Sequence, residues 1–368
     1  MSLRYLLRGQ LRYMASKGIE VHAASSDGPE VQNVKEFEGV PHRIFGLTRS
    51  ITPLKDLLAI ISLASWLRKE KFDVVHSHTP KAGLIAMFAA FLAGTKVRMH
   101  TVAGIPWMES QGFKRKLLKN VDRLIYKLAT HVYPNSFQLE RFMNQEKLAP
   151  AGKLKVIGNG SSNGINTDEF SPTQVAEDKS ALRQQFGLPQ DAFVFVFIGR
   201  VVNDKGMGEL AQAFSQMPPN CYLVLVGPLE PELDPISEEA QEFFETSDNV
   251  KMVGYQNDVR PYLKASDALV FPSYREGFPN VPLQAGALGL PSIVTNINGC
   301  NEIIVEEENG LLIPTKDAEA LEKAMKRFIS EPALFEKMAA SARPMVVTRF
   351  QQEQVWNEIH EEYLSLVN

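Results

Sequence analysis

Ala268-Leu-Val-Phe-Pro-Ser-Tyr-Arg-Glu-Gly-Phe-Pro-Asn-Val-Pro-Leu-Gln284 is the stretch on which the fold turns. An apolar run ends at Pro272, a polar turn carries Glu276 and Gly277, and a helical pattern through Leu288 leads to a second apolar run, Pro291–Thr295. Strand, turn, helix, strand is the connection of a parallel sheet. The start of such a helix presents free backbone N–H groups suited to phosphate oxygens. Glu276, on the loop before it, has the reach to accept hydrogen bonds from sugar hydroxyls, and as an ordinary acidic loop residue it would be solvated.

The alternation continues outward. Phe193–Ile198, Tyr222–Val226, Val250–Val253 and Gly310–Ile313 read as further strands with helices between them, which is the α/β class. Ligands of such sheets bind beyond the carboxyl ends of the strands. Phe193–Ile198 ends there in Gly199-Arg200, and Lys205-Gly206 follows. A guanidinium grips a diphosphate through two hydrogen bonds, and an ammonium nearby adds a point charge. Two solvated cations beside a turn would leave the same trace.

A separate set of strands precedes these: Glu20–Ala24, Val74–His76, Lys96–Thr101 and His131–Asn135. The pattern restarts after Gly158–Gly164, and Phe170-Ser-Pro with the polar run to Lys179 places a boundary near 168–176. Two Rossmann-like domains facing a cleft are expected, 1–170 and 171–349. The last helix, Gln352–Leu366, carries Val355, Trp356, Ile359, Tyr363 and Leu366 on one face, so that 350–368 would pack back on the first domain. That domain opens in a helix, Leu3–Ser16, whereas a doubly wound domain begins with a strand and a Gly-rich turn. Its first strand therefore reads as missing.

A length of 368 residues with 44% hydrophobic content suffices for two cores. Two cysteines, Cys221 and Cys300, without metal-ligand spacing exclude a disulfide framework and point to a reducing, cytoplasmic setting. Neither Leu57–Trp66 nor Gly83–Ala93 reaches the ~20 apolar residues of a membrane helix, and Met1–Gln10 lacks the apolar region of an export signal. Residues 1–150 carry 22 Lys and Arg against 12 Asp and Glu, the remainder 17 against 31. The basic half suits an anionic partner, and no aromatic-interleaved or helix-turn-helix pattern speaks for nucleic acid. Lys116, Lys119, Arg123 and Lys127 share one face of a helix whose other side holds Leu117, Leu118, Val121, Leu124, Ile125 and Leu128. Such a helix lies on an anionic membrane or meets a lipid diphosphate, or packs on a core with its basic face solvated. Trp107 and Met108 just upstream add apolar surface that favours the membrane.

Phe197-Ile-Gly-Arg200 with Lys205-Gly206, Ser266-Asp-Ala-Leu-Val-Phe-Pro-Ser273, Glu276-Gly-Phe-Pro-Asn280, Gly289-Leu-Pro291 and Asn309-Gly-Leu-Leu-Ile-Pro314 together resemble the C-terminal domain of family 4 retaining glycosyltransferases, which have the GT-B fold. Asp73-Val-Val-His-Ser-His78 and Asn163-Gly-Ile165 with Phe170 resemble that family's first domain and linker. His76–Gly83 and Gly158–Gly164 are similar to the branch that extends polyprenyl-diphosphate-linked sugars in bacterial capsule and O-antigen assembly. The resemblance implies a nucleotide-sugar donor, UDP-linked, a lipid-diphosphate-linked saccharide acceptor, an anionic membrane surface as partner, no metal and no cofactor. It assigns Arg200 and Lys205, at the turn after Gly199, to the donor diphosphate, Glu276 to the transferred sugar, and the amides around Phe278, Pro279, Asn280 and Val281 to the rest of the cradle. It places the enzyme in the cytoplasm, peripheral on the inner face of the membrane.

Three departures stand against that pattern. Gln284 occupies the place of the second Glu of the family's Glu-x7-Glu motif, keeping an acceptor oxygen but losing a charge-assisted bond. Thr101-Val-Ala103-Gly104 stands where many members carry His-Gly, leaving His100 as a candidate polar partner of the sugar or a strand-end histidine with a structural hydrogen bond. The Gly-rich loop is missing with the first strand. His76, His78 and Lys81 are expected on the acceptor side; the two histidines lack a third ligand for a metal. A catalytically inactive donor-binding subunit and a GT-B-type sugar-nucleotide 2-epimerase remain alternatives to a transferase.

Overall fold

The computed structural model describes residues 2–48, 52–109, 111–232 and 234–367. The chain divides into two units, one of residues 1–164 with 352–368 and one of residues 165–351. The boundary precedes the expected 168–176 because Ile165 belongs to the second unit. Its N–H donates to the Phe350 carbonyl, and its side chain joins that unit's core.

In the first unit Ala23–Ser25 (β1) pairs in parallel with His42–Ile44 (β2). Val74–Ser77 (β3), Val97–Val102 (β4) and His131–Pro134 (β5) form a separate parallel sheet in the order β3-β4-β5. β2 escapes sequence reading because it is three half-buried or exposed residues, His-Arg-Ile, with no apolar run to mark it. The expected helix Leu3–Ser16 is two helices, Ser2–Tyr5 and Gln10–Ser16. Gly9 separates them at φ 85°, where a Cβ would stand 2.7 Å from the Trp356 ring, so the break is set by a helix, Gln352–Val367, far away in sequence. That helix buries Val355, Trp356 and Ile359 against Met14.

The second unit is one six-stranded parallel sheet: Phe193–Ile198 (β6), Cys221–Val226 (β7), Val250–Gly254 (β8), Ala268–Phe271 (β9), Ser292–Thr295 (β10) and Gly310–Ile313 (β11), in the order β11-β10-β9-β6-β7-β8. This is the doubly wound order, which reverses direction between β6 and β9. Aromatic and β-branched side chains fill both faces of β6, from Val194 to Ile198, as in a strand covered by helices on either side. Three helices of the second unit start on side-chain caps, Asp178 accepting from Ala181 N–H, Ser237 from Ala240 N–H and Asp317 from Ala320 N–H. Among the described residues no helix is long and apolar enough to cross a membrane.

Candidate functional site

The reversal between β6 and β9 brings two loops together in the second unit. Gly199, at the end of β6, lies so near the end of β7 that a Cβ on Gly227, at φ 149°, would fall 1.7 Å from its carbonyl oxygen. Arg200 follows, half-exposed, and donates to Glu230 at 3.2 Å. A 3-10 turn, Asn203–Lys205, then aims Lys205 inward, and Gly206 at φ 72° lets the backbone pass Pro272, whose carbonyl oxygen would be 2.2 Å from any Cβ there.

Lys205 and Glu276 meet, Nζ to Oε1 at 2.5 Å, both side chains mostly buried at 15% and 16% exposure. Lys205 also reaches Ser273 Oγ at 3.5 Å. Two backbone and side-chain ties fasten the loops: Tyr274 N–H donates to the Asp204 carbonyl at 2.9 Å, and Arg275 donates to the Asp204 carboxylate at 2.9 Å. Tyr274 gives its hydroxyl to Glu209 at 2.6 Å; burial and then that carboxylate push the phenol well above its ordinary range. From the end of β10, Asn298 donates to the Gly277 carbonyl at 2.6 Å. The Glu276 loop is thus held from two sides before any ligand arrives.

The helix Asn280–Ala287 begins directly after Pro279 with no side-chain cap, which leaves the donors of its first turn for another acceptor. Phe278 packs its ring 5.4 Å from Phe350 and anchors the turn. Asn280 is exposed, and Val281 and Gln284 are half-buried on the same short helix. Arg200, Lys205, Glu276 and the turn therefore gather at one end of the sheet, as the motif spacing requires. Ser273, Asn298 and Glu230 escape sequence reading, since only the strand order brings their segments to the loops.

In the first unit His76 bridges Tyr363 and Thr101, Nδ1 to the phenol oxygen at 2.6 Å and Nε2 to the threonine hydroxyl at 2.8 Å. The His78 ring lies 4.2 Å from it, and His78 Nδ1 is buried without a partner. His100 is 2% exposed, with Nδ1 2.8 Å from Ser77 Oγ. Its ring fills the space a side chain at Gly83 would take, 2.4 Å from that position's Cβ. An imidazole so enclosed is a packing group, so the expectation that it touches the sugar gives way to the strand-end alternative. Burial drives all three rings away from protonation: His76 well below its usual value, His78 to about 4 and His100 to about 3. Lys81 sits in the first turn of the helix Pro80–Ala93 and joins Asp56 at 2.9 Å and Thr48 at 2.7 Å.

The basic helix spans Gly112–Leu128. Its residues Phe113, Leu117 and Leu124 are exposed, as are Leu54, Leu57, Leu58 and Ile61 of the helix Pro53–Glu70. Lys119 turns to Glu146. Trp107, expected to add apolar surface, is 1% exposed and donates to Asp122 at 2.6 Å, because the indole fills the core under the helix while Met108 stays outside.

Residues 178–345 match the family described as glycosyl transferases group 1, and residues 4–160 match the glycosyl transferase 4-like domain. The capsular polysaccharide biosynthesis glycosyltransferase CapM of Staphylococcus aureus is 32% identical over 362 residues, 97% of this chain and 93% of that protein. The UDP-Gal:alpha-D-GlcNAc-diphosphoundecaprenol alpha-1,3-galactosyltransferase of Escherichia coli is 32% identical over 335 residues, 87% of this chain and 82% of that one. Among solved structures, a glycosyltransferase of Rickettsia africae superposes with a TM-score of 0.83 at 20% identity, covering 100% of this chain and 95% of its own. Anabaena HepE in complex with UDP-glucose gives 0.79 at 22% identity, covering 97% and 96%; both share the fold. With two Rossmann-like units in the GT-B fold and relatives matched along nearly its whole length, the chain belongs to the group 1, family 4-like glycosyltransferases of capsule and related polysaccharide biosynthesis.

Proposed function

We propose that this protein transfers a hexose or N-acetylhexosamine from a UDP-linked donor to a lipid-diphosphate-linked saccharide, with retention of anomeric configuration. The observation that carries the reading is the Lys205–Glu276 pair at the reversal of the sheet. In the free protein each neutralises the other. A donor diphosphate draws Lys205 and Arg200 to its oxygens and releases Glu276 to the hydroxyls of the transferred sugar, while the first-turn amides of the helix at Asn280 take the remaining phosphate oxygens. As the glycosidic bond breaks, negative charge gathers on the leaving phosphate, and these fixed cations and dipoles stabilise it more than the ground state. Arg200 and Lys205 replace a divalent ion in this role. Retention without an enzymatic nucleophile implies attack by the acceptor hydroxyl on the face the phosphate leaves.

The lipid-linked acceptor is supported by the name of the Escherichia coli relative, whose acceptor carries diphosphoundecaprenol, and UDP by the complex of HepE. An anionic membrane, at its cytoplasmic face, suits the exposed Phe113, Leu117 and Leu124 beside the basic residues of Gly112–Leu128. The test supplies a panel of nucleotide sugars and a short polyprenyl-diphosphate-sugar, and follows release of free nucleotide diphosphate and the anomeric configuration of the product. Release that needs both substrates, with an axial or equatorial linkage matching the donor, is expected. Donor binding without release would instead support the inactive subunit that Gln284 favours.

A further inference from the structure

The first unit holds a small cavity of about 20 Å³ where the carboxyl ends of β3, β4 and β5 meet the loop of residues 158–164. The polar side chains on its wall can be accounted for atom by atom. His76 spends both ring nitrogens on Tyr363 and Thr101. The Tyr133 hydroxyl donates to Glu362 at 2.8 Å, and Ser161 Oγ accepts from the Gly164 N–H at 3.0 Å. Three buried atoms on the same wall have no partner among the described residues: His78 Nδ1, Asn135 Oδ1 and Ser162 Oγ. Asn135 and Ser162 are only 5% and 7% exposed. Buried polar groups left unpaired cost stability, so three around one small space set the terms for an occupant.

A single water needs about 10–15 Å³ and two to four polar partners, and the cavity supplies both with little room to spare. A cation would meet neutral groups alone, with no carboxylate among the described lining residues, and would give the Ser162 hydrogen no acceptor. How a water sits is decided by the hydrogens. Burial keeps the His78 ring neutral down to about 4, so it carries one N–H and one lone pair. Asn135 Oδ1 only accepts, and the Ser162 hydroxyl has a hydrogen to place. With Nδ1 protonated, one hydrogen, the water's or that of Ser162, finds no acceptor. With Nδ1 bare, every hydrogen is placed.

We propose that one internal water occupies this cavity, accepting from the Ser162 hydroxyl and donating to Asn135 Oδ1 and His78 Nδ1, and thereby holds His78 as its Nε2–H tautomer. In a Ser-His-Asp triad the carboxylate behind the histidine accepts from Nδ1–H and leaves Nε2 bare to act as a base. Here the polarity is reversed. His78 also lines the larger cavity of this unit, and there it offers a neutral N–H to an oxygen of the acceptor, with no lone pair to take a proton from it. That meeting with the acceptor rests on the transferase reading; the water and the tautomer do not.

The test is therefore made on the free full-length protein, labelled with 15N-histidine, with the His78 ring signals identified by their loss in His78→Gln. Protonated Nε2 is expected, with the Nδ1 signal moved upfield from the position of a bare nitrogen by the hydrogen bond it accepts. Ser162→Val fills the cavity with methyl groups, and the Nδ1 signal should return to the bare position. Ser162→Ala leaves room for the water and two of its partners, so the upfield position should persist and a crystal structure should show the water between Asn135 and His78. A protonated Nδ1 in the unaltered protein would overturn the proposal, as would a bare-nitrogen signal there or an Nδ1 signal that Ser162→Val leaves in place. Should Ser162→Val fail to fold, the unaltered protein and Ser162→Ala decide the matter by the same signals.

Discussion

The two units answer the same architectural problem differently. The second closes six strands into one sheet around a single continuous core; the first divides five strands between two sheets, with several smaller apolar clusters and a large cavity between them. A continuous sheet holds its loops in register, and it is there that Lys205 and Glu276 are pinned. A divided one has packing to spare. Phe197→Ala, in the fully buried centre of β6, should cost about 3–5 kcal/mol, whereas Leu63→Ala, whose side chain already borders the cavity, should fall near the low end for such truncations, about 2 kcal/mol. Hydrogen exchange of each unit's strands measures both, and equal losses would erase the distinction.

The next contrast concerns activity. Lys205→Ala should lower kcat/KM for donor turnover about 10²–10³-fold, the usual loss of one preorganised charge stabiliser, with Glu276→Ala of similar size. Lys81→Ala breaks a tie between two helices of the first unit, and only a few-fold fall is expected. Steady-state kinetics with a saturating acceptor decides it; a larger loss at Lys81 would move the anion site to the first unit.

Acid should also separate the units, since all seven histidines lie in the first. His78 and His100, neutral in the folded state down to about 4 and about 3, take up protons on unfolding below the ordinary value near 6.5. The unfolded chain binds more protons there, so stability falls as pH drops from about 6.5 toward 4. Asp122 opposes this in part: burial raises its carboxyl to about 6, a contribution that is present in acid and lost as pH rises through that value. Three rings outweigh one carboxyl. Trp66, Trp107 and Trp356, the only tryptophans, all sit in the first unit, so tryptophan fluorescence should change at higher pH than far-UV circular dichroism. Coincident curves would show the units to unfold as one.

The same division governs what could be read from sequence. The strands of the second unit stand within a residue or so of their expected positions, because most of them, β6, β7, β9 and β11, are largely buried apolar runs followed by glycine or proline. In the first unit β2 has no such run, and the break at Gly9 answers to Trp356. Arg200, Lys205 and Glu276 could be found because their spacing follows from a strand and its turn. Ser273 and Asn298 act through contacts that only strand order creates, and His100 was ambiguous because β4 is covered on both faces, so alternation says nothing about where a side chain points.

The smallest expected effect lies within the second unit. Gln284 stands one turn into the helix Asn280–Ala287, half-buried, where the family pattern has a glutamate for the ribose hydroxyls. Gln284→Glu restores an ionised acceptor in a frame already rigid, so it should tighten donor binding without reorganising anything else. A charge-assisted hydrogen bond exceeds a neutral one by about 1 kcal/mol, which corresponds to a fall in donor KM of up to several-fold with kcat little changed. If KM were unmoved, Gln284 would not face the ribose. If kcat rose sharply as well, Gln284 would limit turnover and not donor binding alone.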